Sequence, residues 1–223
     1  MMHDHSGGQG DLIRSPRFYD LMTTAMTLGR IGAMREAFLD TAQVRAGDRV
    51  LDVGCGTGSL ALVAKRRVGQ SGTVVGIDPS PEMIARARAK ADAAGLAIEF
   101  HLAPAQQLPF PDASFDVVLS TMMLHHVPDA LRMQAVGEMR RVLKPQGRLL
   151  VAELTRHAGF FAQLLPRRLL HKHGASHPFE DAKRLVAEAG VGSIDSGIFP
   201  LRFAGWVRGR AAHDHIVKEA HHG

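Results

Sequence analysis

A chain of 223 residues, 45% hydrophobic and 22% charged, with neither its 23 glycines nor its 11 prolines gathered into one tract, excludes disorder for its bulk and suits one buried domain. Its net charge of +5 favours an anionic partner such as a membrane surface or nucleic acid but says nothing about fold. The single cysteine, Cys55, excludes an internal disulfide framework and permits a reducing cytoplasm.

Met1 to Gly10 is polar and His-rich, without the charged-then-apolar pattern of a secretory signal, so a cytoplasmic protein is expected. Residues 1–12 and 213–223 read as flexible His-rich tails. Nothing near them supplies a fixed geometry or supporting hydrogen bonds for a metal, so no metal is assigned. From Pro16 to Thr41, apolar residues recur at spacings of three and four, which predicts an amphipathic helical cap over 13–45 broken near Gly29 and Gly32.

Alternating segments follow: strand Arg49–Val53, helix from Ser59, strand Thr73–Ile77, helix from Pro81, and strands Ile98–Leu102 and Phe115–Ser120. Helix Ala130–Leu143 then leads to strand Arg148–Leu154. Strands alternating with helices predict crossover units and a mainly parallel sheet. Ser80 as cap, Pro81 at the first helical position and Gly95 as stop mark one helix closely. Pro178–Ala189 reads as a helix ended by Gly190, and Ser193–Leu201 with Phe203–Arg210 read as two closing strands that finish the sheet antiparallel. The whole reads as a single α/β domain over 13–212: a Rossmann-like, doubly wound, seven-stranded sheet with an antiparallel last strand, carrying a lid-like insertion at 155–178. The longest apolar run, Val117–Val127, is broken by Ser120, Thr121, His125 and His126 and falls short of the roughly 18 residues that span a bilayer, so any membrane contact is peripheral.

The strand Val50-Leu51-Asp52-Val53 runs into Gly54-Cys55-Gly56-Thr57-Gly58 and then a helix, placing bare main chain and a helix N-terminus where a nucleoside binds. A dinucleotide fingerprint would need glycine at position 59, which is Ser59. Asp78 ends the next strand, where a carboxylate can accept ribose hydroxyls; capping the following helix is its plainer role. Cys55 itself reads as a small residue packed under the turn.

These segments, with Gly76-Ile77-Asp78-Pro79-Ser80-Pro81-Glu82-Met83, resemble the class I S-adenosylmethionine-dependent methyltransferases, and more narrowly the ubiquinone/menaquinone-biosynthesis subgroup. Leu108-Pro109-Phe110-Pro111-Asp112, Leu124-His125-His126-Val127-Pro128-Asp129 and Arg141-Val142-Leu143-Lys144-Pro145 extend the resemblance over about Tyr19 to Leu154. It implies S-adenosyl-L-methionine as cofactor. The main chain around Gly54, Cys55, Gly56 and Gly58 and at Ser120 would hold the methionine end, with Asp52 ordering the turn. Asp78 would take the ribose. Pro79 and Met83 would flank the adenine, Ala105 and Gln106 would reach its edge, and Leu124 would line the floor beneath the sulfonium. Two departures stand out: Ala103-Pro104-Ala105 lacks the acidic residue that often meets the adenine amine, and Gln146 stands where the family usually repeats glycine, at a surface position that tolerates it.

Methyl transfer is an in-line displacement that asks mainly for alignment and dryness, and a base only when the nucleophile must lose a proton. His125, His126 and Tyr19 are the candidates, each with an equal reading as an ordinary rim or helix residue. Residues 160–173 mix apolar and basic side chains, suiting either a packed basic helix face or a lid that touches an anionic membrane. The function expected is methylation of a small lipophilic or aromatic molecule or a lipid headgroup. A nicotinamide-dependent oxidoreductase is disfavoured by Ser59. A nucleic-acid methyltransferase is disfavoured because Ser120-Thr121-Met122-Met123 lacks the segment that grips a flipped base, so no nucleic-acid partner is expected. A binding protein without activity on the same fold stays open, as does oligomeric state.

Overall fold

A computed structural model describes residues 31–155, 177–200, 202 and 204–211. Tyr19, the cap before Ile31, the two tails and the segment 160–173 lie outside the described residues. Seven strands form one sheet: β1 (Arg49–Val53), β2 (Thr73–Asp78), β3 (Glu99–Leu102), β4 (Phe115–Thr121), β5 (Leu143–Leu154), β6 (Val191–Ile198) and β7 (Ala204–Ala211). Their order is β3-β2-β1-β4-β5-β7-β6; the first five are mutually parallel and β7 runs antiparallel to both its neighbours, as the sequence predicts.

The helices are α1 (Ile31–Thr41), α2 (Ser59–Val68), α3 (Pro81–Ala93), α4 (Asp129–Arg141) and α5 (Pro178–Glu188). Successive strand residues serve opposite faces. Val50, Val117, Leu119 and Leu150 pack with Leu39, Ala61 and Ala87 of α1, α2 and α3. Leu51, Val53, Val118 and Leu149 pack with Met139 and Leu185 of α4 and α5. Because both faces of the central strands are covered, Val117–Leu119 of β4 and Leu149–Ala152 of β5 are unbroken apolar runs. From β1 the chain winds one way to β3 and then returns to β4 on the other side. The crevice at the C-terminal ends of β1 and β4 is therefore the switch point of the sheet.

The caps follow the sequence: Ser80 Oγ accepts from the Met83 N–H at 3.2 Å, with Pro81 opening α3. Some boundaries differ: Gly32, expected to break the cap, lies inside α1, β6 spans Val191–Ile198 rather than Ser193–Leu201, and the largest shift is at β5. β5 begins at Leu143 rather than Arg148, because Leu143 pairs with Phe115 before the ladder resumes at Arg148 opposite Val117. The residues between bulge outward, and exposed Gln146 takes a φ of 62° that costs a non-glycine residue roughly 1–2 kcal/mol. No helix among the described residues is long and apolar enough to cross a membrane.

Candidate active site

β1 delivers the chain into a loop whose Gly54, Gly56 and Gly58 have φ of 72°, 53° and 73°. At Gly54, a Cβ would lie 2.0 Å from Met123 Cγ, so the Met123 side chain lies directly against the loop main chain. At Gly58, which caps α2, a Cβ would come within 2.9 Å of Ala87 and 3.0 Å of Phe100, so this glycine lets α2 seat against α3 and β3. Cys55 is buried beneath Gly76, where a Cβ would meet its Sγ at 3.0 Å. Burial, followed by the carboxylates of Asp52 and Asp78, pushes its thiol well above the ordinary range, which suits packing rather than reactivity.

Two carboxylates organise the loop. Asp52 is fully buried and takes the Ala61 N–H at the start of α2, tying the end of β1 to the helix beyond the turn. Its Oδ2 has no hydrogen-bond partner among the described residues. Burial first, and the nearby Asp78 charge second, push its carboxyl up to about 7. Asp78 spans the next gap: Oδ2 accepts from Gly56 N–H and Oδ1 from Ser80 N–H, both at 2.9 Å. Burial raises the Asp78 carboxyl and those two amides partly offset the rise. Lys90 of α3 crosses to Thr57 Oγ1 at 3.0 Å and Ser59 Oγ at 2.5 Å, securing the far side of the loop.

Across the crevice Ser120 pairs in register with Val53, is fully buried, and likewise has no partner for its Oγ among the described residues. Met83 and Ala105 are buried, Pro79 is exposed, and Gln106 offers its carbonyl to Gln134 Nε2 at 3.0 Å. Pro79 and Met83 follow the C-terminal end of β2, and Ala105 and Gln106 follow that of β3.

β4 leaves the sheet through Met122, a non-glycine residue at φ 54° whose N–H is held by the Ala152 carbonyl at 2.8 Å. Such geometry costs on the order of 1–3 kcal/mol and persists only where its surroundings enforce it. A 3₁₀ turn at Leu124–His126 follows. Leu124 is 2% exposed and packs in the α4–α5 core, so the side chain touching Gly54 is that of Met123. His125 Nδ1 lies 2.6 Å from Glu153 Oε2, and Glu153 Oε1 accepts from Leu124 N–H at 2.7 Å. The His126 ring stands 4.1 Å from that of His125. Buried Arg132 holds the turn from below, donating to the Val127 carbonyl at 2.9 Å and the His125 carbonyl at 3.3 Å, with Asp129 and Asp181 as counter-charges.

The structure thus gathers Asp52, the loop glycines, Asp78 and Ser120 at the crevice, with His125 and His126 on its β4 rim. Sequence reasoning missed Glu153, Arg132 and Met123. The one available signal was an acidic residue inside the otherwise apolar strand Leu149–Leu154.

Residues 50–147 match the model of a family described as a methyltransferase domain. Over 139 residues the chain is 42% identical to a demethylmenaquinone methyltransferase of Thermus thermophilus, covering 62% of this chain and 61% of that protein. It therefore matches less than two thirds of that relative's length. With the ubiquinone/menaquinone biosynthesis C-methyltransferase UbiE of Laribacter hongkongensis it is 33% identical over 214 residues, covering 86% and 87% of the two chains. Among solved structures, a SAM dependent methyltransferase from Aquifex aeolicus superposes with a TM-score of 0.63 at 21% identity, covering 80% of this chain and 89% of that one. That last similarity speaks for the fold.

Proposed function

The chain belongs to the class I S-adenosylmethionine-dependent methyltransferases, in the subgroup of the ubiquinone/menaquinone-biosynthesis enzymes, and from that membership we propose that it moves the methyl group of S-adenosylmethionine onto a small lipophilic or aromatic acceptor or a lipid headgroup. The observation that carries this reading is the pair of partnerless buried oxygens, Asp52 Oδ2 and Ser120 Oγ, at the switch point beside Gly54. Buried acceptors are rarely left unmatched, and an ammonium group with several donors suits them.

In this reading Asp52, Gly54, Cys55, Gly56, Gly58 and Ser120 hold the methionine end, and Asp78 takes the ribose hydroxyls. Pro79 and Met83 flank the adenine, Ala105 and Gln106 meet its edge, and Leu124 supports the floor from the core. Pro104 brings no side-chain acceptor, so the adenine rests on main chain and packing. Bound there, the sulfonium supplies an electrophilic methyl carbon. The protein's own contribution is to align the acceptor and keep water out. The basic and apolar segment 160–173 is the part of the chain best suited to admit a lipophilic acceptor and to touch a membrane surface.

Calorimetric titration with S-adenosylmethionine is expected to give micromolar-range binding. No measurable heat at high concentration overturns the proposal, and retention by a nicotinamide cofactor instead would move the chain to oxidoreductase chemistry. Incubation with methyl-labelled cofactor and host extract is expected to place label in the organic phase. Label in precipitable polymer would replace the acceptor class.

A further inference from the structure

The end of the sheet opposite the cofactor crevice holds a second concavity. Arg148 of β5 and Arg210 of β7 are directly opposed, and Arg208 lies two residues before Arg210, opposite Leu150. Strand alternation puts all three on the face that carries Leu150 towards α1. Arg148 also pairs with Val117 near the start of β4, whereas the crevice lies beyond Val53 and Ser120 at the other ends of the strands. Between the three arginines, the end of α1 and β6 lies a cavity of about 140 Å³, whose wall includes Thr41, Gln43 and Ser193. Pockets for drug-sized ligands begin near roughly 300 Å³, so this one suits a small ion.

Like charges set directly opposite on paired strands are unfavourable unless something negative meets them. Two of the three arginines are met. Arg148 is held by Asp48 at 2.6 Å, with both side chains nearly buried, and it donates to the Gln43 carbonyl. Arg208 pairs with Asp195 at 2.9 Å and reaches the Thr41 carbonyl at 3.4 Å. These two also suit the negative C-terminal end of α1. Arg210 has no carboxylate among the described residues: it donates to the Gln146 carbonyl at 3.4 Å and to Gln43 Oε1 at 3.2 Å, both neutral acceptors. The surrounding main chain is bent off its ordinary paths, since Gln43, Gln146 and Ser193 have φ of 56°, 62° and 50°. Ser193 lies in a bulge where β6 carries one residue more than β7, between Gly192 and Asp195. Strain and bulges of this kind gather beside ligand sites.

We propose that this cavity binds a free phosphate group, as inorganic phosphate or a small phosphate monoester, through Arg208 and Arg210, with Arg148 as its fixed wall. Guanidinium forks match phosphate oxygens two at a time, and a tetrahedral phosphate offers more oxygens to several arginines than a carboxylate does. The Arg208–Asp195 pair has side chains 36% and 54% exposed, a setting in which an ion pair is worth little, so an incoming anion displaces Asp195 at small cost. The nearly buried Asp48 pair stays and keeps Arg148 in place. A lipid headgroup fits less well, because exposed Asp195 beside the cavity sets a negative charge against an anionic bilayer.

Trp206 is the single tryptophan of the chain, and the Arg208 guanidinium stands 5.3 Å from the centre of its ring, so its fluorescence reports on Arg208. The full chain is titrated with sodium phosphate at an ionic strength held constant with sodium chloride, and followed by Trp206 emission and by calorimetry. No S-adenosylmethionine is present, so the outcome is independent of the methyltransferase reading. One saturable site with a Kd of about 1 mM or tighter is expected from both signals. Arg210→Gln and Arg208→Gln should each weaken binding by about tenfold or more while melting as the parent does. Arg184→Gln, which removes the same charge from an exposed position on α5, should bind as the parent does. The proposal is overturned if phosphate gives no saturable signal, if Arg210→Gln and Arg208→Gln bind it as the parent does, or if Arg184→Gln weakens it equally. Sodium acetate binding as tightly as phosphate overturns the phosphate assignment. Phosphatidic acid vesicles that sediment the parent but not Arg210→Gln, with no binding of free phosphate, would put a lipid surface here instead.

Discussion

Along the β1–β2 side of the crevice most contacts use main chain: glycines at positive φ, and the Ala61, Gly56 and Ser80 amides with two carboxylates that accept from them, Lys90 adding side-chain bonds to Thr57 and Ser59. Along the β4–β5 side they are made by side chains that meet across long stretches of sequence, His125 with Glu153 28 residues on and Arg132 with Asp181 49 residues on. The first side is therefore sensitive to added atoms and the second to removed ones. A loop of bare main chain can lose little by truncation, whereas a buried ionic contact leaves a stranded partner when half of it goes.

The largest expected effect sharpens this contrast at Gly54. Gly54→Val puts a branched side chain at φ 72° and drives its Cβ to within 2.0 Å of Met123 Cγ. A left-handed conformation costs roughly 1–2 kcal/mol and overpacking roughly 1–3, so denaturant melts should show a loss of about 2–5 kcal/mol together with no detectable S-adenosylmethionine binding. Near-parental stability with intact binding would mean that the loop is not held by its main chain. On the opposite side, Glu153→Ala removes the acceptor of both Leu124 N–H and His125 Nδ1 and should cost about 3 kcal/mol of stability. Here cofactor affinity in the folded variant is expected to stay within about threefold of the parent, or roughly 0.6 kcal/mol. A large loss of cofactor binding would break the division into two sides.

The same contrast explains what could be read from the sequence. Glycine spacing, Asp78 at a strand end and Ser80-Pro81 before α3 are local signals, and each is realised where the pattern placed it. The parallel pairing of the first five strands follows from alternation and handed crossovers, which are also local rules. Glu153 gives only the signal of an acidic residue in an apolar strand, and its meaning depends on a turn 28 residues earlier. Arg132 likewise looks like one basic residue among several on an amphipathic helix, yet it is buried because carbonyls of the turn and Asp181 on α5 converge on it. The start of β5 was misplaced for a related reason. Leu143 joins the ladder through its cross-strand partner Phe115, and no local feature of Leu143-Lys144-Pro145 announces that pairing.

Asp78→Ala tests the cofactor side at a smaller scale. The lost carboxylate frees the Gly56 and Ser80 amides to water and takes away the expected ribose acceptor, so binding should weaken by about 1–3 kcal/mol with the fold retained. Calorimetry with S-adenosylmethionine against S-adenosylhomocysteine should show equal losses for both, since they share the ribose. Unequal losses would move Asp78 to the sulfonium end.

The finest test uses Asp52, whose carboxyl is pushed from its ordinary value of 3.8 up to about 7, by burial first and the Asp78 charge second. Between those limits the folded chain without cofactor binds one more proton here than the unfolded chain. The contribution of this group to stability is therefore fullest below 3.8, declines as pH rises to about 7, and is flat above that. Cofactor binding should run the other way if an ammonium group sits against Oδ2, because that contact favours the ionised carboxylate. Affinity is then expected to fall about tenfold from pH 8 to pH 6, or about 1.4 kcal/mol, as protonation competes. At pH 6 binding should release close to one proton, read as a difference in heat between two buffers of unlike ionisation enthalpy. Asp52→Asn keeps an acceptor for the Ala61 amide while removing the titration, so it should flatten the pH dependence with the fold intact. If proton release persists in Asp52→Asn, it comes from another group, and the ammonium must be held from the Ser120 side of the crevice instead.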